Sequence, residues 1–388
     1  MNKYKTLAAL VATALLATAG AASAQSLVQG GGASLPAKLY KGSSDSILPA
    51  TFSYEVTGSG TGKQAFLENK AELFNTTGTV HFAGSDSVLT DAEITAYTAN
   101  FAPTYGPLIQ IPSVGTSVTI PFNSAGGNLD LSVSQLCGVF SGKITNWSDV
   151  DASRSGPITV VYRNEKSGTT ELLTRFLASA CSAADTAGTN LIGGKFSTTQ
   201  EFWKQFSALP VNFVTASALG SQPLYDKVYA TTGGIGYIGP DVVPNLDDAT
   251  KIAKVRGYSP NDPSVQATLN TVAPPTGAAA NDPRNWVPVF TNPPAVGYPI
   301  VGYTNFDLGQ CYKTTAVATA LRSFLLGHYN GNNDAASRAH GFVTADRHLA
   351  RCDPYPLRGC RQHRWSEQPE HLRRPRPSVI ARRAYFQA

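Results

Sequence analysis

Residues Arg163 to Glu171 read R-N-E-K-S-G-T-T-E, directly after the apolar run Ile158–Tyr162. The run has the β-branched and aromatic make-up of a strand, and Ser-Gly-Thr-Thr that of a helix start. The chemistry such a segment suits is anion binding. A helix N-terminus carries unpaired backbone N–H groups and a partial positive charge. Gly168 permits close approach of backbone, Ser167 and Thr169 supply hydroxyls, and Arg163 supplies a planar fork of donors that matches paired oxyanion oxygens. On this segment alone two readings stay open, an anion clamp and a helix merely capped by Ser167.

Three further loops have the same character. Gly30-Gly-Gly-Ala-Ser-Leu-Pro36 is a Gly-rich turn entering a helix, with Ser34 as a donor and Pro36 at the first helical position. Thr57-Gly-Ser-Gly-Thr-Gly-Lys63 again joins a strand to a helix, with Ser59 at its centre, and Gly84-Ser-Asp-Ser87 follows an apolar run and carries Asp86. Any one Gly/Ser loop is ordinarily just a turn. Four of them, with one Arg (Arg163) and one Asp (Asp86) among them, describe a pocket of helix N-termini for a small tetrahedral oxyanion.

The elements that must position these loops alternate. Short apolar runs at Phe52–Thr57, Val80–Ala83, Leu108–Ile111, Ser117–Phe122, Ile158–Tyr162, Gly234–Ile238 and Tyr298–Tyr303 predict strands. Between them, helical patterns cover Pro36–Leu48, Lys63–Asn69, Thr90–Tyr97, Ser132–Phe140, Thr169–Ala180, Gln200–Phe206 and Thr315–His328, with Thr90 and Glu93 spaced as a capping box. Strands alternating with helices predict an α/β fold. Asn261–Pro294, rich in Pro, Ala and Asn, reads as a long surface excursion. The body exceeds the usual size of one domain, so two are expected. No internal repeat is evident.

Lys3 and Lys5, the apolar Leu7–Ala17 and Ala22-Ser23-Ala24 have the order of a cleaved secretory signal over residues 1–24. No other apolar stretch approaches the roughly 18 residues of a membrane span. The expected location is periplasmic or secreted, where cysteines pair, although Cys137, Cys181, Cys311, Cys352 and Cys360 make an odd number. From Arg347 to Ala388 there are ten Arg and three acids, a net +7 against +5 for the whole chain. The rest is therefore −2, and −4 once Lys3 and Lys5 are set aside. An acidic body argues against nucleic acid as a partner. The tail, residues 347–388, has five prolines, no apolar periodicity and the composition of GC-rich coding sequence read out of frame.

The segments G-G-G-A-S-L-P, G-S-G-T-G-K, A-G-S-D-S, Q-I-P-S-V-G-T-S-V-T-I-P-F-N, L-C-G-V-F-S-G-K-I-T-N-W and V-V-Y-R-N-E-K-S-G-T-T-E-L together resemble the DING proteins, high-affinity phosphate-binding proteins that serve ABC importers. The resemblance runs from about Gly30 to Val343. Val28–Gly31 read V-Q-G-G where the eponymous D-I-N-G stands, and the Arg-rich tail replaces the family's C-terminal segment with its cysteine.

The resemblance implies a type II periplasmic-binding-protein fold. Residues 25–111 with 256–346 would form one α/β domain and 112–255 the second. Two crossings would join them, near Ile111–Val114 and Ala253–Tyr258, with closure around the ligand. It implies inorganic phosphate held by Ser34, the Leu35 backbone, Ser59, Asp86, Arg163, Ser167, Gly168 and Thr169; the family usually has Thr at the Ser34 position. It implies a Cys137–Cys181 disulfide and a membrane ABC permease as partner, and leaves Cys311 without its usual partner and Cys352 and Cys360 as spare thiols. No cofactor or metal is expected. The alternative is a secreted phosphomonoesterase, since phosphatase activity has been attributed to DING proteins. Metal-assisted ester hydrolysis wants clustered His and carboxylates, and here His81, His328 and His340 are scattered and His348, His363 and His371 fall in the tail. The residues favour a binder over an enzyme.

Overall fold

The glycine- and hydroxyl-rich loops sit at the ends of short strands. A computed structural model describes residues 27–344, apart from residue 292. The expected signal peptide and the tail from Arg347 lie outside the described residues. In chain order the strands are β1 (Gly30–Gly32), β2 (Glu55–Val56), β3 (Phe82–Ser85), β4 (Leu108–Ser117), β5 (Asp130–Leu131), β6 (Thr159–Tyr162), β7 (Phe213–Thr215), β8 (Gly234–Ile235), β9 (Lys254–Val255), β10 (Val301–Gly309) and β11 (Val343–Thr344).

Six of them form one sheet in the order β11-β4-β10-β3-β1-β2. β1 is parallel to β2 and β3, whereas β10 runs antiparallel to β3 and β4 and closes the parallel half. A second sheet, β7-β6-β8, is wholly parallel. It and the small β5–β9 pair draw only on residues between β4 and β10. Parallel strands covered on both faces need apolar residues at successive positions, and β6 has them: Val160 and Val161 point to opposite faces and both are fully buried. The chain therefore has an α/β fold.

Capping follows the sequence closely. The Thr90 side chain accepts from the Glu93 amide, and Glu93 accepts from the Thr90 amide, at the start of the helix Asp91–Asn100. Ser132 and Gln135 do the same for Val133–Ser141, which ends at Gly142 in the left-handed region. A disulfide joins Cys137 of that helix to Cys181, the residue that ends Gly168–Ala180, with Cα atoms 5.7 Å apart. Cys311 is disulfide-bonded as well; Cys352 and Cys360, expected as spare thiols, lie outside the described residues.

Several elements differ from expectation. The helix after Pro36 covers only Ala37–Tyr40, because Gly42 takes φ 107° and the Ser43 and Ser46 hydroxyls donate to the Lys38 carbonyl. Gln200–Phe206 holds only a 3₁₀ turn, Phe202–Gln205. Leu108–Ile111 extends into one strand to Ser117, and beyond it Thr119, Pro121 and Phe122 form only single bridges. Asn261–Pro294 is no mere excursion. It opens with a helix, Asp262–Leu269, capped by Asn261, whose Val265 and Leu269 are buried. A further helix, Ser221–Ala230, was not legible and buries Leu224 and Val228.

Candidate functional site

Ligands of open α/β sheets gather beyond the carboxyl ends of the parallel strands. Four such ends converge here: β1 leads to Ser34 and Leu35, β2 to the helix Ser59–Leu67, β3 to Asp86, and β6 to Arg163 and the helix Gly168–Ala180. Close packing holds them together. A Cβ on Gly62 would lie 2.3 Å from the Gly32 Cα, so the helix Ser59–Leu67 can settle on β1 only with glycine there.

The structure brings together the eight residues expected at the site. Arg163 Nη2 donates to Ser34 Oγ at 2.7 Å, and Arg163 Nη1 points to Thr169 Oγ1 at 3.5 Å. Gly168 packs on Ser59 and Asp86. Leu35 is buried beside Ser34, with its side chain against Gly239. Ser59, Asp86, Arg163, Ser167 and Thr169 are all 0–1% exposed, and Ser34 is half-buried. Further hydrogen bonds tie the loops of the two sheets around this cluster. The Gly60 amide donates to the Lys166 carbonyl at 3.1 Å, the Val88 amide to Glu171 Oε1 at 3.2 Å, and the Lys38 and Leu39 amides to Asp241 Oδ2 at 3.0 and 3.2 Å.

The hydroxyls share one polarity. Ser34 Oγ accepts from Arg163, Ser59 Oγ accepts from the Asp86 amide at 3.1 Å, and Ser167 Oγ accepts from the Thr170 amide at 3.3 Å. A hydroxyl already accepting from an N–H keeps its own proton for another acceptor. Ser167 thus caps its helix and remains a donor. The Gly168 and Thr169 amides open the helix, and neither meets a protein acceptor among the described residues. The cluster is a set of aligned donors around one cation, Arg163.

Asp86 is the exception. Its Oδ1 accepts from Thr304 Oγ1 at 2.8 Å. Burial pushes its carboxyl up to about 7; the Thr304 hydrogen bond, the Arg163 charge and a Ser59 hydrogen bond pull the other way, and Glu171 adds to the rise. Asp86 is therefore a buried acid that can change charge near neutral pH.

Sequence reasoning missed three supporting residues. Glu165 pairs with Arg163 and accepts from the Gly220 amide, so it orients the guanidinium. It stands within the opening motif, two residues after Arg163, and was readable there. Tyr237 accepts from the Arg163 amide at 3.1 Å and bonds Thr170 Oγ1 at 2.8 Å, and Thr304 holds Asp86. Tyr237, just after β8, and Thr304, on β10, lie 74 and 218 residues from their partners, with no local signal. Among the described residues no group of three or more His, Cys, Asp or Glu is placed to hold a metal ion, and no helix is long and apolar enough to cross a membrane.

Comparison with known proteins adds the following. Residues 12–326 match the family model of the PBP superfamily domain. Alkaline phosphatase L of Pseudomonas aeruginosa is 50% identical over 339 residues, which is 85% of this chain and 88% of that protein. A crystal structure of a phosphate-binding protein from Stenotrophomonas maltophilia is 59% identical, with a TM-score of 0.79 over 83% of this chain and 91% of that one. A high-affinity periplasmic phosphate-binding protein, PfluDING, solved with phosphate bound, is 43% identical, with a TM-score of 0.76 over 84% of this chain and 92% of that one.

Proposed function

Because this chain belongs to the DING proteins of the PBP superfamily, we propose that it binds inorganic phosphate with high affinity in the periplasm or extracellular space and passes it to a membrane ABC permease. Ser34, the Leu35 backbone, Ser59, Arg163, Ser167, Gly168 and Thr169 donate to the anion, and Asp86 accepts from it. The observation that carries this reading is the common polarity of the Ser34, Ser59 and Ser167 hydroxyls, each with its oxygen engaged by an N–H, which leaves each hydroxyl to act as a donor. An anion that takes many donors and offers one proton suits this set. Phosphate at neutral pH retains a proton; sulfate has none.

The proposal includes a division of the chain into residues 25–111 with 256–346 and residues 112–255, closing on the ligand about two crossings. The contacts between Gly60 and Lys166 and between Asp241 and the Lys38 and Leu39 amides belong to the closed form.

A second reading, phosphomonoester hydrolysis, rests on the likeness to alkaline phosphatase L. Tight binding of product phosphate by this donor set disfavours turnover, and a monoester must also place an organic group among side chains that are almost wholly buried. The test is hydrolysis of p-nitrophenyl phosphate by protein free of host phosphatase, with Arg163→Ala as control. The binding reading predicts at most slow release of nitrophenol; robust turnover that Arg163→Ala abolishes contradicts it.

A further inference from the structure

We infer that Thr304 is a specificity-positioning residue, fixing which oxygen of Asp86 meets the anion and keeping that oxygen an acceptor. The inference rests on the phosphate-binding reading above and assigns the source of its discrimination between a protonated and an unprotonated oxyanion.

The sheet register places Thr304. Asn305 of β10 pairs with Ser85 of β3, the last residue of that strand, so the antiparallel register sets Thr304 across from Asp86, one step beyond the ladder. On its other side β10 is irregular. Thr304 pairs with Val114 of β4 and Asn305 with Pro112, which leaves Ser113 as an extra residue. Proline has no N–H for the ladder, and a bulge re-aims the neighbouring side chains. The carbonyls freed there are held from one helix, Thr315–Tyr329. His328 Nε2 lies 2.7 Å from the Ser113 oxygen, and Tyr329 Oη donates to the Pro112 oxygen at 2.6 Å. The bulge is a built feature, and Thr304 beside it is fully buried.

A hydroxyl has one proton to give. Thr304 gives it to Asp86 Oδ1 at 2.8 Å. The other oxygen, Oδ2, faces the start of the helix Gly168–Ala180, 2.9 Å from where a Gly168 Cβ would stand. Ser59 accepts from the Asp86 amide, and its own hydroxyl also bonds the carboxyl, which adds to the support for the ionised form. Oδ1 is thus committed to Thr304, and Oδ2 is turned toward the helix start at Gly168. A donor on Oδ1 favours the ionised carboxylate, which accepts from a protonated anion and repels an unprotonated one. Without that donor the buried acid protonates more readily, and a protonated Asp86 can donate to sulfate.

The experiment is calorimetric titration of phosphate-stripped wild type, Thr304→Val, Thr304→Ser and Asp86→Asn with sodium phosphate and with sodium sulfate at several pH values between about 5 and 9. Removing one hydrogen bond to a charged group is expected to lower the phosphate/sulfate affinity ratio of Thr304→Val about tenfold near neutral pH. The pH at which selectivity appears should move upward, and Thr304→Ser should restore the wild-type ratio. Thr304→Ala serves as the second hydroxyl-free variant and should match Thr304→Val. If both lose affinity for the two anions equally, or keep the wild-type ratio and pH profile while Asp86→Asn shifts them, the inference is overturned and the phosphate reading stands. Failure of wild type to bind phosphate overturns the reading and this inference with it.

Discussion

Gly168 and Asp86 meet at a separation only glycine allows: a Cβ on Gly168 would lie 2.6 Å from Asp86 Cβ and 2.9 Å from Asp86 Oδ2. Gly168 opens the helix that follows β6 in the smaller sheet, and Asp86 follows β3 in the larger one. Their contact is therefore where the two halves of the site fit together, and one methyl group is enough to wedge them apart.

Gly168→Ala is expected to weaken phosphate binding by about tenfold or more, since relieving the overlap costs roughly 1–3 kcal/mol. The ligand-free protein should keep its thermal midpoint, because alanine at a helix start is tolerated better than glycine. Melting scans with and without phosphate check this. A variant with the full wild-type rise in midpoint on adding phosphate would show that the halves need not approach so closely.

Asp86 predicts a pH dependence. Its folded-state value of about 7 lies above the ordinary 3.8. The folded form therefore holds its proton where the unfolded chain has lost it. The contribution to ligand-free stability is fully present below about 4 and is lost as pH rises through about 7. Denaturant titrations of ligand-free protein across that window should show this fall in wild type and not in Asp86→Asn. The amide can donate as well as accept, so Asp86→Asn should also gain sulfate affinity relative to phosphate. An unchanged anion ratio would make Asp86 structural.

The parts of the site legible in the sequence were those whose logic is local. Arg163, Ser167, Gly168 and Thr169 form one strand–loop–helix turn, and Ser34, Ser59 and Asp86 stand in Gly/Ser loops at strand ends. Capping at Thr90 was readable for the same reason. Thr304 and Tyr237 were not, because register and packing over long sequence separations place them. The helix Asp262–Leu269 was hidden by the Pro- and Ala-rich composition of its segment, though Asn261 followed by Asp-Pro is a helix start. The helix expected over Pro36–Leu48 stops at Tyr40 because two serine hydroxyls take the Lys38 carbonyl, a competition that periodicity does not register.

The disulfide anchors the far end of the helix that forms the site. Cys137 and Cys181 are separated by 44 positions, and Cys181 terminates the helix that Gly168 begins. Closing a loop of that length is worth about 3–4 kcal/mol in the chain-entropy model. The double variant Cys137→Ala, Cys181→Ala should lose about that much stability in denaturant titrations and still bind phosphate when folded. Alkylation of Cys137 in the unreduced wild type would show that the bond does not form.

The measurement that tests the account most directly is isothermal titration of phosphate-stripped protein with inorganic phosphate near neutral pH, beside Arg163→Ala. Arg163 is the buried cation of the donor set, with hydrogen bonds to Ser34, Thr169 and Glu165. The account predicts one site with a dissociation constant of about 1 μM or tighter in wild type. In Arg163→Ala the affinity should fall by about 3 kcal/mol or more, upward of a hundredfold, because charge-assisted hydrogen bonds are lost and Glu165 is left unpaired. No saturable binding by wild type at millimolar phosphate, or equal affinity in the two proteins, would contradict it.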